Sequence, residues 1–170
     1  LCHMAEDIWQ NIPYEVEEIS VFQRGWPEAP EVWRNNCLND HVIELRKLRT
    51  VINRLLETCR NKQELGSSLE AAVRIDISNT KVRNAIEWLS QSESNKVDLL
   101  RDWFLVSSLQ IGGDPWAEVL VSEDNDIASI DISKAKGIKC ERCWHYEVEM
   151  SKNHKHPKIC NRCEKVVLAI

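Results

Sequence analysis

The sequence predicts an α+β protein made of three consecutive parts. Apolar residues recur every three or four positions as far as Lys62, which is typical of amphipathic helices. After Ser68 the period changes to two, as expected for a strand with one buried face. The last part carries two tight pairs of cysteines. We therefore expect a helical bundle over residues 1–66, a small α+β subdomain over 67–133 and a cysteine-rich segment over 134–170.

The helical part begins with an apolar stripe, and no helix N-cap precedes this stripe. The stripe consists of Leu1, Met4, Ile8 and Ile12. No initiating Met or capping residue precedes it, and Pro13 ends it, so we expect the chain to be a piece of a longer protein. The irregular segment 16–30 follows, and Phe22 and Trp26 are expected to be its buried anchors.

The longest helix is expected over residues 38–62, with Gly66 as its stop. Its apolar residues form one stripe: Leu45, Leu48, Ile52, Leu55 and Cys59. Three cations, Arg46, Lys47 and Arg54, fall on the opposite side of this helix. Ordinary solvation of an amphipathic helix accounts for such a charged face without any ligand.

The α+β subdomain begins with a strand over residues 69–77, where apolar and polar positions alternate. Residues 78–80 then offer an N-cap for a second helix. The side chains that this helix should bury are Val82, Ile86 and Leu89.

A polar turn over residues 91–95 separates this helix from a shorter one near 97–103. Gly and Pro punctuation and acidic turn residues then delimit short apolar runs. We expect three further strands at residues 105–111, 117–121 and 127–132, the last two joined by an acidic turn over 123–126.

Composition limits the classes of protein to which the chain can belong. Hydrophobic residues make up 43% and charged residues 29% of its 170 residues, which excludes wholesale disorder. No apolar run approaches the roughly 18 residues of a membrane helix, and no signal-peptide pattern opens the chain. Seven cysteines, an odd number, fit a reducing compartment. We therefore expect no membrane partner and a cytoplasmic or organellar location.

The cysteine-rich segment has the spacing of a metal site. Cys140 and Cys143 are separated by two residues, sixteen residues follow, and Cys160 and Cys163 repeat the pattern. Four thiolates complete the tetrahedron that Zn²⁺ prefers and leave no open position, so such an ion is structural rather than catalytic. An iron–sulfur cluster or two disulfides are the alternatives.

The other candidate ligands and the lone cysteines are expected to play no part in this site. His145, His154 and His156 are near enough in sequence to compete, but four thiolates already satisfy the ion. The remaining cysteines are expected to be buried as small hydrophobic residues: Cys2, Cys37 and Cys59.

The cysteine-rich segment is also basic, whereas the formal net charge of the chain is −5. From Lys134 to Lys165 there are nine Lys and Arg against four Asp and Glu. Cations with interleaved aromatic residues suit contact with phosphates and stacking on unpaired bases. The candidates for such contacts are Lys139, Arg142, Trp144 and Arg162. The alternatives are a solvated charged face and a Trp144 that packs across the cysteines.

Two stretches resemble one known family. Residues 137–146, G-I-K-C-E-R-C-W-H-Y, and residues 159–163, I-C-N-R-C, resemble the C-terminal zinc segment of bacterial-type isoleucyl-tRNA synthetases. Residues 3–9, H-M-A-E-D-I-W, resemble the entry to the helical anticodon-binding domain of the same family. The resemblance implies an anticodon-binding helical bundle before the α+β subdomain and the zinc knuckle.

The resemblance also implies a role. The family uses ATP to attach isoleucine to its tRNA, in catalytic and editing domains. No HIGH-like tetrapeptide occurs here, and residues 149–153 match three letters of KMSKS by coincidence. The implied role is thus that of a tRNA-binding C-terminal region, inactive alone, whose partners are tRNA(Ile) and the other domains of a monomeric parent enzyme.

The resemblance assigns site residues as well. The implied zinc ligands are Cys140, Cys143, Cys160 and Cys163. The helix face with Arg46, Lys47 and Arg54 corresponds to the bundle that the family lays against the anticodon arm, which implies phosphate contacts there.

Two other functions stay open. Formamidopyrimidine-DNA glycosylases end in a zinc finger of similar spacing, so the chain could be a DNA-binding or repair module. Neither their N-terminal catalytic proline nor a glycine-bearing helix-hairpin is visible in the sequence. A structural zinc module for protein contact is the third hypothesis, and it predicts no affinity for nucleic acid at low salt.

Overall fold

The computed structural model describes residues 1–91, 96–151 and 156–168. The chain forms two compact units, residues 1–36 and residues 37–170. The domain boundaries expected at residues 66 and 133 divide the chain differently, and they stay predictions. Within the described residues, no helix is both long enough and apolar enough to cross a membrane.

The first unit is a helix with an irregular segment folded back on it. Helix α1 spans Cys2–Gln10, and short 3₁₀ turns lie at Val21–Gln23 and Glu31–Trp33. The indole N–H of Trp9 donates to the carbonyl oxygen of Glu18 at 3.0 Å. The hydroxyl of Ser20 donates to a carboxylate oxygen of Glu6 at 2.8 Å. Polar contacts therefore hold the irregular segment against α1.

The expected buried anchors of this unit are wrong. Phe22 is 64% exposed and Trp26 is 95% exposed. Large aromatic residues usually find a core, but α1 has no buried residue with which a core could form. Of the three lone cysteines that were expected to be buried, Cys59 is buried as predicted, whereas Cys2 and Cys37 are exposed.

Helix α2, Asn36–Asn61, confirms the expected long helix and its stripe. Its buried residues are Leu45, Leu48, Ile52, Leu55, Leu56 and Cys59. The helix ends at Asn61, and the left-handed residue that stops it is Gln63, which has φ of 59°, rather than Gly66. Hydrogen bonds from Gln63 N–H to Arg60 O and from Glu64 N–H to Cys59 O form a Schellman motif there. The expected stop at Gly66 is thus three residues late.

Two further helices follow α2 in the second unit. Helix α3 spans Thr80–Gln91, and the side-chain oxygen of Asn79 caps it by accepting from the N–H groups of Lys81 and Val82. Helix α4 spans Lys96–Phe104. Of the expected polar turn, Gln91 belongs to α3, and positions 92–95 lie outside the described residues.

A four-stranded sheet lies next to these helices, in the order β2-β1-β4-β3. Strand β1 (Ala71–Ile77) pairs in parallel with β2 (Ser108–Ile111) and antiparallel with β4 (Ala128–Lys134). Strand β3 (Val121–Asp124) pairs antiparallel with β4. Apolar residues of β1 and β4 pack with α2, α3 and α4 in one core.

The bounds of all four expected strands differ from the observed ones. The strand expected at 69–77 begins at Ala71, because Ser68–Glu70 form a 3₁₀ turn, and the strand expected at 127–132 spans Ala128–Lys134. The two other strands differ more. The first begins at Ser108 rather than at residue 105, because Leu105 has φ of 56° and ends α4. The second begins at Val121 and continues through Asp124, where the sequence suggested a turn. The carboxylate of Glu123 is accommodated because Arg54 Nη2 lies 2.6 Å from it, across 69 residues of sequence.

The cysteine-rich end has its own small elements. Strands β5 (Ile138–Lys139) and β6 (Tyr146–Glu147) pair antiparallel, and helix α5 spans Asn161–Leu168. The cysteines form a cluster of buried residues separate from the main core. The expected α+β class with a terminal four-cysteine knuckle is confirmed.

Candidate metal centre

Four thiol groups converge at the cysteine-rich end. The Sγ atoms of Cys140, Cys143, Cys160 and Cys163 all lie within 4.8 Å of one another. The Sγ atoms of Cys143 and Cys160 are 3.7 Å apart. A tetrahedral ion with Zn–S bonds of about 2.3 Å places its sulfurs about 3.8 Å apart, so the cluster has the size of a zinc site.

The backbone of the first knuckle presents its two cysteines to one point. Strand β5 delivers Cys140, whose carbonyl oxygen accepts from the N–H of Trp144 at 3.0 Å. The N–H of Cys140 in turn donates to the carbonyl oxygen of His145 at 2.9 Å. Trp144 adopts φ of 67°, a left-handed conformation that closes this turn.

The second knuckle meets the first through a sulfur. The N–H of Cys160 donates to the Sγ of Cys140 at 3.3 Å, and α5 places Cys163 in its first turn. The guanidinium of Arg142, from the first knuckle, lies 3.6 Å from the Sγ of Cys163. Such donors stabilise thiolates and orient them toward a metal.

The thiols differ in acidity. Burial opposes ionisation of Cys140, but backbone N–H groups of Cys143, Cys160 and Arg142 outweigh it and lower the pKa to about 6. Burial raises the pKa of Cys143 and of Cys160 above the ordinary value of a thiol. The Cys140 thiolate forms readily at neutral pH, whereas Cys143 and Cys160 need a cation beside them to ionise. A divalent ion supplies that charge.

The donor set fits a closed structural zinc ion. All four cysteines are free thiols, and the 3.7 Å separation of Cys143 and Cys160 far exceeds an S–S bond of about 2.05 Å, which argues against disulfides. Four protein ligands leave no position for an activated water, so the ion supplies folding energy rather than chemistry.

Histidine does not enter this cluster among the described residues. His145 is buried, and burial, followed by the nearby cations of Arg101 and Arg162, lowers its pKa. His154 lies outside the described residues.

The first knuckle brings three of the predicted RNA contacts together. Trp144 is 60% exposed rather than packed across the cysteines. The ammonium of Lys139 lies 5.5 Å from the centroid of the Trp144 ring, a cation–π distance. Arg142 is also exposed, and it is adjacent to Cys143. We call Lys139, Arg142 and Trp144 the knuckle patch.

The other predicted contacts lie elsewhere and are mostly paired. Arg162 Nη1 lies 2.9 Å from a carboxylate oxygen of Asp102. On α2, Lys47 pairs with Glu44 at 2.7 Å, and Arg54 pairs with Glu123.

The sequence did not point to the anchorage of this end of the chain on the core. The backbone N–H of Tyr146 donates to the Ser107 hydroxyl at 2.7 Å, and that hydroxyl donates to the Leu69 carbonyl. Arg101 Nη1 lies 3.0 Å from Glu147. These contacts join residues about forty positions apart, and no spacing pattern in the sequence indicates them.

Two family models match the chain. Residues 1–75 match the family described as "Anticodon-binding domain of tRNA ligase", and residues 137–166 match "Zinc finger found in FPG and IleRS". The zinc family by itself does not distinguish an RNA-binding role from a DNA-binding one, because its description includes both kinds of protein.

Relatives similar over the whole chain identify the family. The isoleucine–tRNA ligase of Prochlorococcus marinus (strain NATL1A) is 76% identical over 170 residues, 100% of this chain and 18% of that protein. Those of Parasynechococcus marenigrum (strain WH8102) and Synechococcus sp. (strain CC9311) are 56% and 54% identical over 167 residues, 98% of this chain and 17% of each protein. The chain, which spans less than a fifth of the length of these relatives, belongs to the isoleucine–tRNA ligase family.

Proposed function

We propose that the chain is the C-terminal tRNA-binding region of an isoleucine–tRNA ligase. It holds tRNA(Ile) by the anticodon arm, while catalytic and editing domains of the longer protein carry out ATP-dependent aminoacylation. The anticodon-binding description over residues 1–75 and the similarity to ligases over the whole chain support this role. The parent enzyme is a cytoplasmic monomer in this proposal, and the parts 1–66, 67–133 and 134–170 are its successive domains.

The knuckle patch carries the proposal. An exposed indole with the Lys139 ammonium over its ring, and with the exposed Arg142 two positions away in sequence, suits stacking on an unpaired base with contacts to the adjoining phosphates. The zinc ion makes the backbone beneath the indole rigid, so little ordering entropy is lost on binding. The charge of four thiolates and Zn²⁺ sums to −2, which makes the two cations necessary for any approach of RNA.

A second patch on α2 supports the same partner more weakly. Arg46 is exposed and takes part in none of the ion pairs found within residues 1–91, 96–151 and 156–168. Lys47 and Arg54 would exchange a carboxylate for a phosphate, which costs little because exposed ion pairs contribute about 0–1 kcal/mol.

Binding energy at this end of the enzyme serves chemistry that takes place far away. Contacts remote from the reacting atoms position the acceptor end of the tRNA and hold it in a reactive geometry. Adenylate formation needs no tRNA, so it does not depend on these contacts. Substitutions at this end of the enzyme should therefore impair transfer of isoleucine to tRNA and leave adenylate formation unchanged.

The test is a Trp144→Ala variant of the full-length enzyme. Loss of one stacking contact, worth about 1–3 kcal/mol, should raise KM for tRNA about tenfold while the rate of adenylate formation is unchanged. Trp144→Phe keeps an aromatic face and should recover most of the affinity. Leu168→Ala, at a similarly exposed apolar residue, is the matched control.

The alternatives give different outcomes. An unchanged KM for tRNA in Trp144→Ala would refute the knuckle patch as a tRNA contact. A gel shift in which duplex DNA binds more tightly than tRNA would favour the DNA-repair module. Absence of any nucleic-acid binding at low salt would leave a zinc module for protein contact.

A further inference from the structure

The end of α4 and the residues after it hold the zinc segment, which we define as residues 137–151 and 156–168, against the sheet. Arg101 and Ser107 fix strand β6 through Glu147 and the backbone N–H of Tyr146. The Arg101 and Glu147 side chains are only 12% and 24% exposed, so this pair is well shielded from solvent. One edge of the zinc segment is thus attached to the main core.

The carboxylate of Asp102 is paired with a residue of the second knuckle and lies close to a residue that follows the first. The Nη1 of Arg162, in the second knuckle, lies 2.9 Å and 3.1 Å from its two oxygens. The Nε2 of His145, which follows the first knuckle, lies 3.6 Å from Oδ1. His145 is buried and directly follows Trp144, so this approach brings Asp102 next to the backbone from which the exposed indole projects, without a hydrogen bond to the His145 ring.

This arrangement gives Arg162 a structural contact beside the phosphate contact predicted for it. Its guanidinium is paired with a protein carboxylate, and the two side chains are 40% and 44% exposed. Arg162 is thus placed to orient the second knuckle, while its contact with phosphate stays a prediction.

We propose that Asp102 is a positioning residue for tRNA recognition, which sets the orientation of the knuckle patch through Arg162 and His145. This inference rests on the proposed function. It adds a residue that makes no contact with RNA, lies sixty positions from Arg162 and sits outside both matched family segments.

The direction in which Asp102→Asn changes the affinity for tRNA(Ile) distinguishes positioning from simple electrostatics. Asp102→Asn removes a negative charge beside a basic surface and releases Arg162. If charge alone decided affinity, the variant would bind every RNA more tightly and with a steeper salt dependence. If Asp102 positions the patch, the variant binds tRNA(Ile) less tightly, and non-cognate RNA loses no affinity.

The experiment compares Asp102→Asn with wild type in the full-length enzyme. We expect KM for tRNA(Ile) to rise about three- to tenfold, with kcat and adenylate formation nearly unchanged. Binding of a single-stranded polyuridylate should be unchanged or tighter. One zinc per chain should be retained, since no metal ligand is altered. Asp126→Asn, which removes an exposed carboxylate from a turn, is the charge-matched control.

A second variant at position 102 distinguishes positioning from a loss of stability. Asp102→Glu keeps the carboxylate and should restore most of the affinity for tRNA(Ile), which a loss of general stability would not predict. Unchanged or tighter binding of tRNA(Ile) by Asp102→Asn, while Trp144→Ala weakens it, would overturn this inference alone. If Trp144→Ala also leaves binding unchanged, the proposed function itself fails.

Discussion

Arg74 and Asp131 form an ion pair that is almost completely buried on the face of the sheet away from the main core. Their side chains are 3% and 5% exposed, and Arg74 Nε lies 2.7 Å from Asp131 Oδ2. The hydroxyl of Ser122 donates to the other carboxylate oxygen at 2.6 Å, and the carbonyl oxygen of Gly113 accepts from Arg74. Both ions are thus well hydrogen-bonded, which such burial requires.

Asp131→Asn should therefore destabilise the chain markedly. Removing one partner leaves the guanidinium of Arg74 uncompensated in the interior, at a cost of about 3–5 kcal/mol. Urea unfolding of the 170-residue chain measures the loss. Asp124→Asn, an exposed carboxylate on the adjacent strand, should change the free energy of unfolding by less than about 0.5 kcal/mol.

The same pair predicts a pH dependence. Burial opposes ionisation of Asp131, but the hydrogen bonds from Ser122 and Arg74 outweigh it and hold the pKa below its usual range. A lowered pKa in the folded state means that this contribution is complete above about pH 4 and is lost as the pH falls through the folded-state value. The stability gap between wild type and Asp131→Asn should narrow below pH 4. A constant gap from pH 7 to pH 3 would contradict this.

At the scale of single elements, two helices end in left-handed residues that are not glycine. Gln63 after α2 and Leu105 after α4 have φ of 59° and 56°. In both places the N–H groups after the helix return to its last carbonyls in the Schellman pattern, with Val106 N–H donating to Arg101 O. The pattern at Leu105 turns the chain toward Ser107 and thus places the anchorage of the zinc segment.

Gln63→Gly should stabilise the chain by about 0.5–1 kcal/mol. Glycine adopts the left-handed conformation without the Cβ clash, although its greater freedom in the unfolded state offsets part of the gain. Thermal unfolding followed by circular dichroism should show a rise of a few degrees in Tm. Since the Gln63 side chain has no described role in the site, a fall in Tm would mean that its contacts matter more than its backbone.

Gly137→Ala should have the opposite effect, confined to the zinc segment. Gly137 has φ of 106°, and a Cβ there would meet the carbonyl oxygen of Glu147 at 2.2 Å. The pairing of β5 with β6 therefore cannot close without a backbone shift. Faster release of zinc to a colorimetric chelator is the expected readout. Gly25→Ala tests the specificity of the effect, because a Cβ at Gly25, which also has positive φ, meets no atom within 4 Å.

At the scale of the whole molecule, the second unit contains two separate cores held by different forces. The larger one is apolar and joins α2, α3 and α4 to the sheet. The smaller one consists of the cysteines with Ile159 packed against them. About thirty residues cannot bury enough apolar surface for stability, so metal binding must supply the folding energy of the zinc segment.

Removal of zinc should accordingly unfold the zinc segment and leave the apolar core folded. After treatment with a strong chelator, amide hydrogen exchange should become fast in β5, β6 and α5. Protection in β1 and β4 should persist, because their apolar contacts do not involve the metal. Loss of protection throughout the sheet would show that the two cores unfold together. The comparison also tests how far Asp102, Arg101 and Ser107 couple them.

Patterns over short stretches of sequence were sufficient to predict much of this molecule. The stripe of α2, the cap at Asn79 and the four-thiolate cluster follow from residues close in sequence, because helix and knuckle geometry repeat over a few positions. The alternation of apolar and polar residues located β1, but the expected single buried face is wrong, because the strand is central in the sheet and Arg74 is buried on the other face. The family resemblance rests on short runs as well, residues 137–146 above all. These features were therefore determined by the sequence alone.

The remaining features depend on contacts between residues far apart in sequence. Whether Phe22 and Trp26 are buried depends on what lies opposite them, and the extent of β3 depends on its backbone pairing with β4. The ion pair of Asp102 with Arg162 spans sixty residues. Long-range contacts have no periodicity, since the intervening chain can take any path that satisfies the core, and their partners emerge only when the fold brings them together.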